Sequence, residues 1–214
     1  MAYYPVNLRL AGRECLVIGG GAVAGRKTEG LLAAGARVTV LSPVVTPRLA
    51  ALAAAGEIVH KPGEYRPGAI GKFFIVICAT DDAAANATAA AEARRGGALV
   101  CVADDPEAGD FVVPARVARG DLLLTVSTGG KSPALAAQLR QELEERYGPE
   151  YGEYLALLAR LRDEVKQNLA GAAARGDFWR AALHGEVLAL LKAGRVEEAE
   201  EKIIDAVSRF GTQP

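Results

Sequence analysis

Up to about Pro114 the chain alternates two patterns. Short apolar, β-branched-rich runs at residues 15–18, 37–41, 57–60, 73–78 and 98–102 are separated by stretches, many rich in alanine, whose apolar positions recur at helical spacing. Strand and helix signals taken in turn predict a parallel sheet with helices on its faces. From 115 to about 147 one further strand, 122–126, runs through Gly129-Gly130 into a helix starting near Ser132-Pro133. Beyond Gly148-Pro149 everything reads as helix: Tyr151, Leu155, Leu158, Leu161, Val165 and Leu169 follow three- and four-residue spacing, and a helical tail with Glu-rich faces follows Gly194. The expected organisation is α/β: a parallel-sheet domain over 1–114, a small α+β module over 115–148 and an all-helical domain over 149–214.

Composition narrows what such a chain can do. Half of the 214 residues are hydrophobic, ample for a core. No apolar run approaches the roughly 20 residues that span a bilayer, and the first residues, Met1 to Val6, lack the basic stretch and apolar core of an export signal. A cytoplasmic protein with no membrane partner is expected. Cys15, Cys78 and Cys101 lie in apolar strand-like runs without C-x-x-C spacing, which predicts buried structural thiols and neither a disulfide framework nor a metal site. A formal net charge of −1 leaves no global positive field for nucleic acid.

The chemistry begins at Gly19-Gly20-Gly21-Ala22-Val23-Ala24, a G-x-G-x-x-[GA] match placed directly after a strand and before a helix. Gly19 allows the tight turn, Gly21 lets the backbone approach a pyrophosphate, and Ala24 permits close helix-on-strand packing. The amides and positive dipole end of the helix beginning near Ala22 then face the phosphates. A dinucleotide site of Rossmann type is the expectation. At the end of the second strand, where an acidic residue usually grips the ribose, stands Leu41-Ser42-Pro43-Val44. Ser42 can bond a ribose hydroxyl and does not repel a 2′-phosphate, so charge alone does not decide between NAD and NADP.

Three further segments emerge at strand ends. Thr80 and Asp81 follow the fourth strand, where they serve as cofactor neighbours or as the cap of the next helix. Asp104-Asp105-Pro106 follows the fifth, and reads either as a carboxylate pair for acid and base work or as turn chemistry. Ser127-Thr128-Gly129-Gly130-Lys131-Ser132-Pro133 is not a nucleotide-triphosphate loop, because the first glycine of that motif would fall on Thr125. It supplies hydroxyls, bared backbone, a lysine and a helix start with Ser132 as cap, a setting that favours anions or is simply a well-capped helix. His60 and His184 read as structural.

In this order, Gly19 to Lys27, Gly35 to Val40 with Ser42-Pro43, Ala79-Thr80-Asp81, Val102-Ala103-Asp104, Asp110 to Pro114, the 127–133 loop, Leu161 to Lys166 and Phe178-Trp179 resemble the precorrin-2 dehydrogenases and sirohydrochlorin ferrochelatases of sirohaem biosynthesis. The resemblance covers nearly the whole chain. It implies a Rossmann domain, a dimerisation module and a helical C-terminal domain acting as a homodimer, with NAD-dependent oxidation of precorrin-2 to sirohydrochlorin. It further implies Asp104 as general base and, in bifunctional members, a part for the same aspartate in iron insertion, with ferrous iron as a substrate. The cofactor would be held by Gly19, Gly21, Ala22, Val23, Ser42, Pro43, Val44, Thr80 and Asp81. Ser127, Thr128, Lys131 and Arg116, with Arg119 in support, would meet the substrate's carboxylates. Thr128 stands where some members have serine. Fused members continue into a methyltransferase domain, so methylation is expected from another protein. The competing class is a non-enzymatic NAD-sensing module like the regulatory Rossmann domains of ion-transport systems. Those keep the acidic residue missing here and have no use for the 127–133 loop.

Overall fold

A computed structural model describes residues 3–168, 171–182 and 185–211. The chain forms two compact units, Met1–Val113 and Pro114–Pro214. The first contains β1 (Glu14–Ile18), α1 (Ala22–Ala33), β2 (Arg37–Leu41), α2 (Pro47–Ala54), β3 (Ile58–Lys61), β4 (Ile75–Cys78), α3 (Ala83–Arg95) and β5 (Leu99–Val102). Its five strands pair in parallel in the order β3-β2-β1-β4-β5, so the strand order reverses between β1 and β4.

The strands are almost wholly apolar because both faces are covered. Cys15 and Val17 join Val38, Val40, Ile75, Ile77 and Cys101 on the face that meets Ala24 and Leu31 of α1 and Leu49 and Leu52 of α2. Leu16 and Ile18 alternate to the other face, with Val76, Cys78, Val100 and Val102 against Ala89, Ala90 and Ala93 of α3. Alanines on that helix allow it to lie close to the sheet. All three cysteines are free and buried. Burial pushes the Cys15 thiol up to about 11 and Cys78 up to about 12, and raises Cys101 as well.

The second unit opens with a strand that the hydrophobic pattern does not announce. β6 (Ala115–Arg119) pairs antiparallel with β7 (Leu122–Val126), where only the latter is expected from the pattern. The reason is composition: Ala-Arg-Val-Ala-Arg offers one large apolar residue, Val117, which is the buried one. The two-residue link Gly120-Asp121, with Gly120 at φ 55°, is the signal for the hairpin. One face of the hairpin packs on α4 (Pro133–Arg146) and the start of α5 (Glu150–Asn168), the latter so closely that a Cβ on Gly152 would lie 2.9 Å from the Arg119 carbonyl carbon.

α5 packs with α6 (Ala172–Ala182), α7 (Gly185–Lys192) and α8 (Val196–Gly211) around a core of Tyr154, Leu157, Leu161, Val165, Phe178, Val187, Leu191, Ala199 and Ile203. Leu161 and Val165 of the expected stripe lie in this core and Leu158 packs against it, whereas at the start of α5 the buried positions are Tyr154 and Leu157. Tyr151 and Leu155 are only half-buried, Tyr151 meeting the ring of Tyr147 edge-on at 5.0 Å. The start of α5 serves the hairpin as well as the helical core. Leu169 and His184 lie outside the described residues. Among those described, no helix is long and apolar enough to cross a membrane.

Candidate cofactor and catalytic site

Register sets the site. Ile18 pairs with Leu41 and with Cys78, and Cys78 pairs with Val102. The four strands thus end in one row, and residues 19–21, 42–44, 79–82 and 103–105 emerge along a single rim at the carboxyl edge of the sheet. An open parallel sheet binds its ligand on that side, at the point of strand-order reversal.

The three glycines of the first turn have different tasks. Gly19 has φ 121°, and a Cβ there would sit 2.3 Å from the Ala79 carbonyl oxygen, so the turn rests against the end of β4. A Cβ on Gly20 would lie 2.0 Å from the Val44 carbonyl oxygen and 2.6 Å from Ser42 Oγ. Gly20 is closed in further by Thr46 N, which donates to its carbonyl at 3.0 Å. Gly21 alone faces open space, with nothing within 4 Å of the position a Cβ would take. It is also the N-cap of α1, at φ −80°, and provides no side-chain cap. The first amides of α1 are left without that partner on the rim, beside exposed Ala22 and Val23.

At the end of β2, Ser42 is buried and its hydroxyl donates to the Val44 carbonyl at 2.7 Å. Because that proton is engaged, a ribose hydroxyl meeting Ser42 Oγ would have to donate to it. His60 Nε2 donates to the Ser42 carbonyl at 2.9 Å, which fixes the proton on that nitrogen and gives His60 its structural part. Pro43 and Val44 are exposed, Val44 at 77%.

At the end of β4 the helix cap is Asp82 rather than Thr80 or Asp81. Its Oδ1 accepts from Ala84 N at 2.9 Å and Ala85 N at 3.0 Å. Thr80 shapes the turn instead, its Oγ1 accepting from Asp82 N at 3.2 Å, while Asp81 stands exposed. Behind them lies Asn86, 1% exposed. Its Oδ1 accepts from Thr80 Oγ1 at 2.8 Å and Thr80 N at 3.3 Å. Its Nδ2 donates to the Thr80 carbonyl at 2.9 Å and to Asp104 Oδ1 at 3.4 Å. The sequence pattern does hold a trace of this residue: a polar side chain at 86 begins the 86, 89, 90, 93 series that faces the sheet, with alanines at the other three places.

Asp104 and Asp105 differ in what their side chains bond. Asp105 Oδ1 accepts from Glu107 N at 3.1 Å and Ala108 N at 3.2 Å, which makes it a turn residue. Asp104 stands exposed on the rim, held from behind by Asn86. Asp110 pins the following loop to β5 and α3, accepting from Val100 N at 2.9 Å and from Arg94 Nε at 2.7 Å.

In the second unit, Thr128 Oγ1 donates to the Ser132 carbonyl at 3.1 Å and accepts from Ser132 N at 3.2 Å. Ser127 Oγ accepts from Gly129 N at 3.3 Å, and Ser132 Oγ caps α4 at Leu135 N. A hydroxyl at 128 closes the loop on itself, which threonine does as well as serine. Lys131 and Arg116 are exposed. Arg119 is not free for a ligand: Nε donates to the Tyr147 carbonyl at 2.9 Å and Nη2 to that of Glu144 at 3.3 Å, tying down the end of α4.

The rim of the first unit fits a dinucleotide. A bare glycine at an uncapped helix start is what a pyrophosphate requires, and the exposed apolar side chains of Val23 and Val44 border it. Among the described residues no group of three or more His, Cys, Asp or Glu is placed to hold a metal ion.

Comparison with known proteins places these features in a family. The model of a putative NAD(P)-binding family matches residues 6–115. That of the sirohaem biosynthesis protein central region matches 119–146, and that of the sirohaem synthase dimerisation region 150–207. The siroheme synthase of Chromobacterium violaceum is 40% identical over 185 residues, 86% of this chain and 39% of that protein. That of Methylococcus capsulatus is 39% identical over 213 residues, 100% of this chain and 45% of that protein. The chain thus spans less than half the length of these relatives. A solved structure described as SirC, precorrin-2 dehydrogenase, is similar with a TM-score of 0.76 at 27% identity, over 95% of this chain and 100% of that one. With a glycine turn built for a dinucleotide and matches running in order from residue 6 to residue 207, the chain belongs to the NAD(P)-binding family of sirohaem-biosynthesis proteins.

Proposed function

We propose that this protein oxidises precorrin-2 to sirohydrochlorin with NAD. The observation that carries the proposal is the convergence on one rim of an uncapped, open glycine turn at Gly21 and an exposed carboxylate at Asp104. NAD, when bound, accepts the hydride. Removing two hydrogens from a reduced tetrapyrrole as a hydride and a proton then leaves the chain itself one chemical duty, taking the proton. Asp81 and Asp104 are exposed carboxylates on this rim, and we assign the duty to Asp104, which the family resemblance supports, and Asp81 to the cofactor surface. Gly19, Gly21, Ala22, Val23, Ser42, Pro43, Val44, Thr80 and Asp81 form the cofactor surface. Lys131, Arg116 and Ser127 meet the substrate's carboxylates, with Lys131 and Arg116 supplying charge, while Thr128, its hydroxyl proton engaged by the Ser132 carbonyl, holds the loop in shape.

The match to a dimerisation region supports a homodimer, and three free buried thiols suit a reducing, cytoplasmic compartment. The breaks between matched regions, at 115–119 and 146–150, support a division into parts at 1–114, 115–148 and 149–214.

Purified protein mixed with precorrin-2 and NAD should convert the spectrum to that of sirohydrochlorin while NADH absorbance rises; no conversion would sink the proposal. Asp104→Ala should bind NAD normally and lose turnover, whereas a sensing module would be indifferent to that change. Insertion of ferrous or cobalt ion into sirohydrochlorin, compared with the uncatalysed rate, tests whether iron is a second substrate.

A further inference from the structure

We infer that Asn86 is the positioning residue of this site: it holds the Asp104 carboxylate at a set place relative to the turn after β4, and so couples the base to the cofactor rim. The inference rests on the assignment of Asp104 as the base and goes beyond it. Asn86 is 1% exposed on a helix face otherwise made of alanines, where a buried amide without partners would be costly. Among the described residues the partners of its side chain, Thr80 and Asp104, both lie on the rim. Its Oδ1 takes both Thr80 N and Thr80 Oγ1, and its Nδ2 reaches the Thr80 carbonyl and Asp104 Oδ1.

The pattern also fixes which way the amide faces. A flip would set Oδ1 against a carbonyl and a carboxylate and Nδ2 against an N–H, so only one orientation satisfies all four contacts. Three contacts at 2.8–3.3 Å clamp Asn86 to Thr80, and the fourth, at 3.4 Å, is the longest. The amide is therefore anchored at the end of β4 and presents a fixed donor to the residue two places beyond the end of β5. Strands β4 and β5 are neighbours, but their backbone pairing ends with Ala103 N on the Cys78 carbonyl. Beyond that bond, the Asn86 side chain is what joins the two strand ends.

The test uses the full-length protein with precorrin-2 and NAD. Asn86→Ala should lower kcat by about tenfold to a hundredfold, while the Kd for NAD and the KM for precorrin-2 move less than about threefold, because a displaced base affects the reacting geometry rather than binding. Combined with Asp104→Ala it should cause no further loss, since Asn86 acts through that carboxylate. Asn86→Asp has nearly the same size and keeps the acceptor for Thr80, but turns the donor at Asp104 into an acceptor. It should show the same kcat loss, and it serves if alanine at this buried place yields little folded protein. The inference is overturned if either folded variant keeps kcat within about twofold of the parent while Asp104→Ala loses turnover, or if the effects of the two sites multiply in the double variant. Full turnover by Asp104→Ala would instead remove the assignment of the base itself.

Discussion

Replacing Gly21 by alanine adds a methyl group where no other heavy atom lies within 4 Å, at a φ of −80° that alanine adopts freely. The fold should hardly notice: alanine in place of glycine at a helix N-cap costs about 0.5–1 kcal/mol, or about 1–4 °C in Tm for a chain of this size. Binding should suffer, because the methyl stands where backbone amides would otherwise approach a pyrophosphate. Losing one hydrogen bond to a charged group costs about 1.5–3 kcal/mol, which weakens NAD binding by about 10- to 150-fold. Gly20→Ala inverts the prediction. Its methyl would lie 2.0 Å from the Val44 carbonyl oxygen, and overpacking against backbone costs about 1–3 kcal/mol or more, so the loss appears first in Tm. Calorimetric titration with NAD and thermal unfolding of both variants separate the two roles. Wild-type NAD affinity in Gly21→Ala, or equal Tm losses in the two variants, would refute the division of labour among the glycines.

Thr28 on α1 is fully buried, and among the described residues its hydroxyl has no partner; Thr28→Val should raise stability by about 1 kcal/mol in urea titration, and a loss would reveal a partner. Glu92 is partly buried, which works against its charge, yet it accepts from Tyr65 Oη, Gly68 N and Ile70 N and lies near Arg95, and the net effect is a carboxyl held below its ordinary 4.5. A carboxyl depressed in the folded state contributes stability above its unfolded pKa and loses it as pH falls through the folded one. Urea midpoints measured downward from pH 7 should therefore fall less steeply on the acid side in Glu92→Gln, and an unchanged slope would count against the linkage. Burial holds the Cys15 and Cys78 thiols at about 11 and about 12 and raises Cys101, so native protein at pH 8 should resist thiol alkylation and label at all three only when unfolded. Rapid labelling of the native protein would contradict their placement.

The central strands β1, β2, β4 and β5 are legible because they are buried on both faces and so are mostly apolar, and the glycine turn because its spacing answers a steric demand. What the pattern missed has physical reasons too. β6 contributes only Val117 to a core, and its existence is carried by a two-residue turn rather than by hydrophobicity. In α5 the spacing identifies Leu161 and Val165 of the core but not Tyr154 and Leu157, because the start of that helix packs on the hairpin as well as on other helices, so apolar residues occupy more than one face. The cap of α3 is Asp82, one residue beyond Thr80 and Asp81 from which it is expected, because local composition does not fix where the first helical turn begins. The part played by Asn86 inside an alanine-rich helix is not legible locally, because its partners, Thr80 and Asp104, lie on two different strand ends and are brought to it by parallel pairing.

The Ser42 hydroxyl, wedged between Gly20 and the Val44 carbonyl, has a consequence for anyone wishing to retune the cofactor from NAD to NADP. An enlarged or charged residue at 42 would be driven into the glycine turn, so its effect on selectivity would be inseparable from damage to the turn. Val44, 77% exposed, is where a basic side chain can be introduced without displacing anything. The loop is thus evolvable at its tip and frozen at its root.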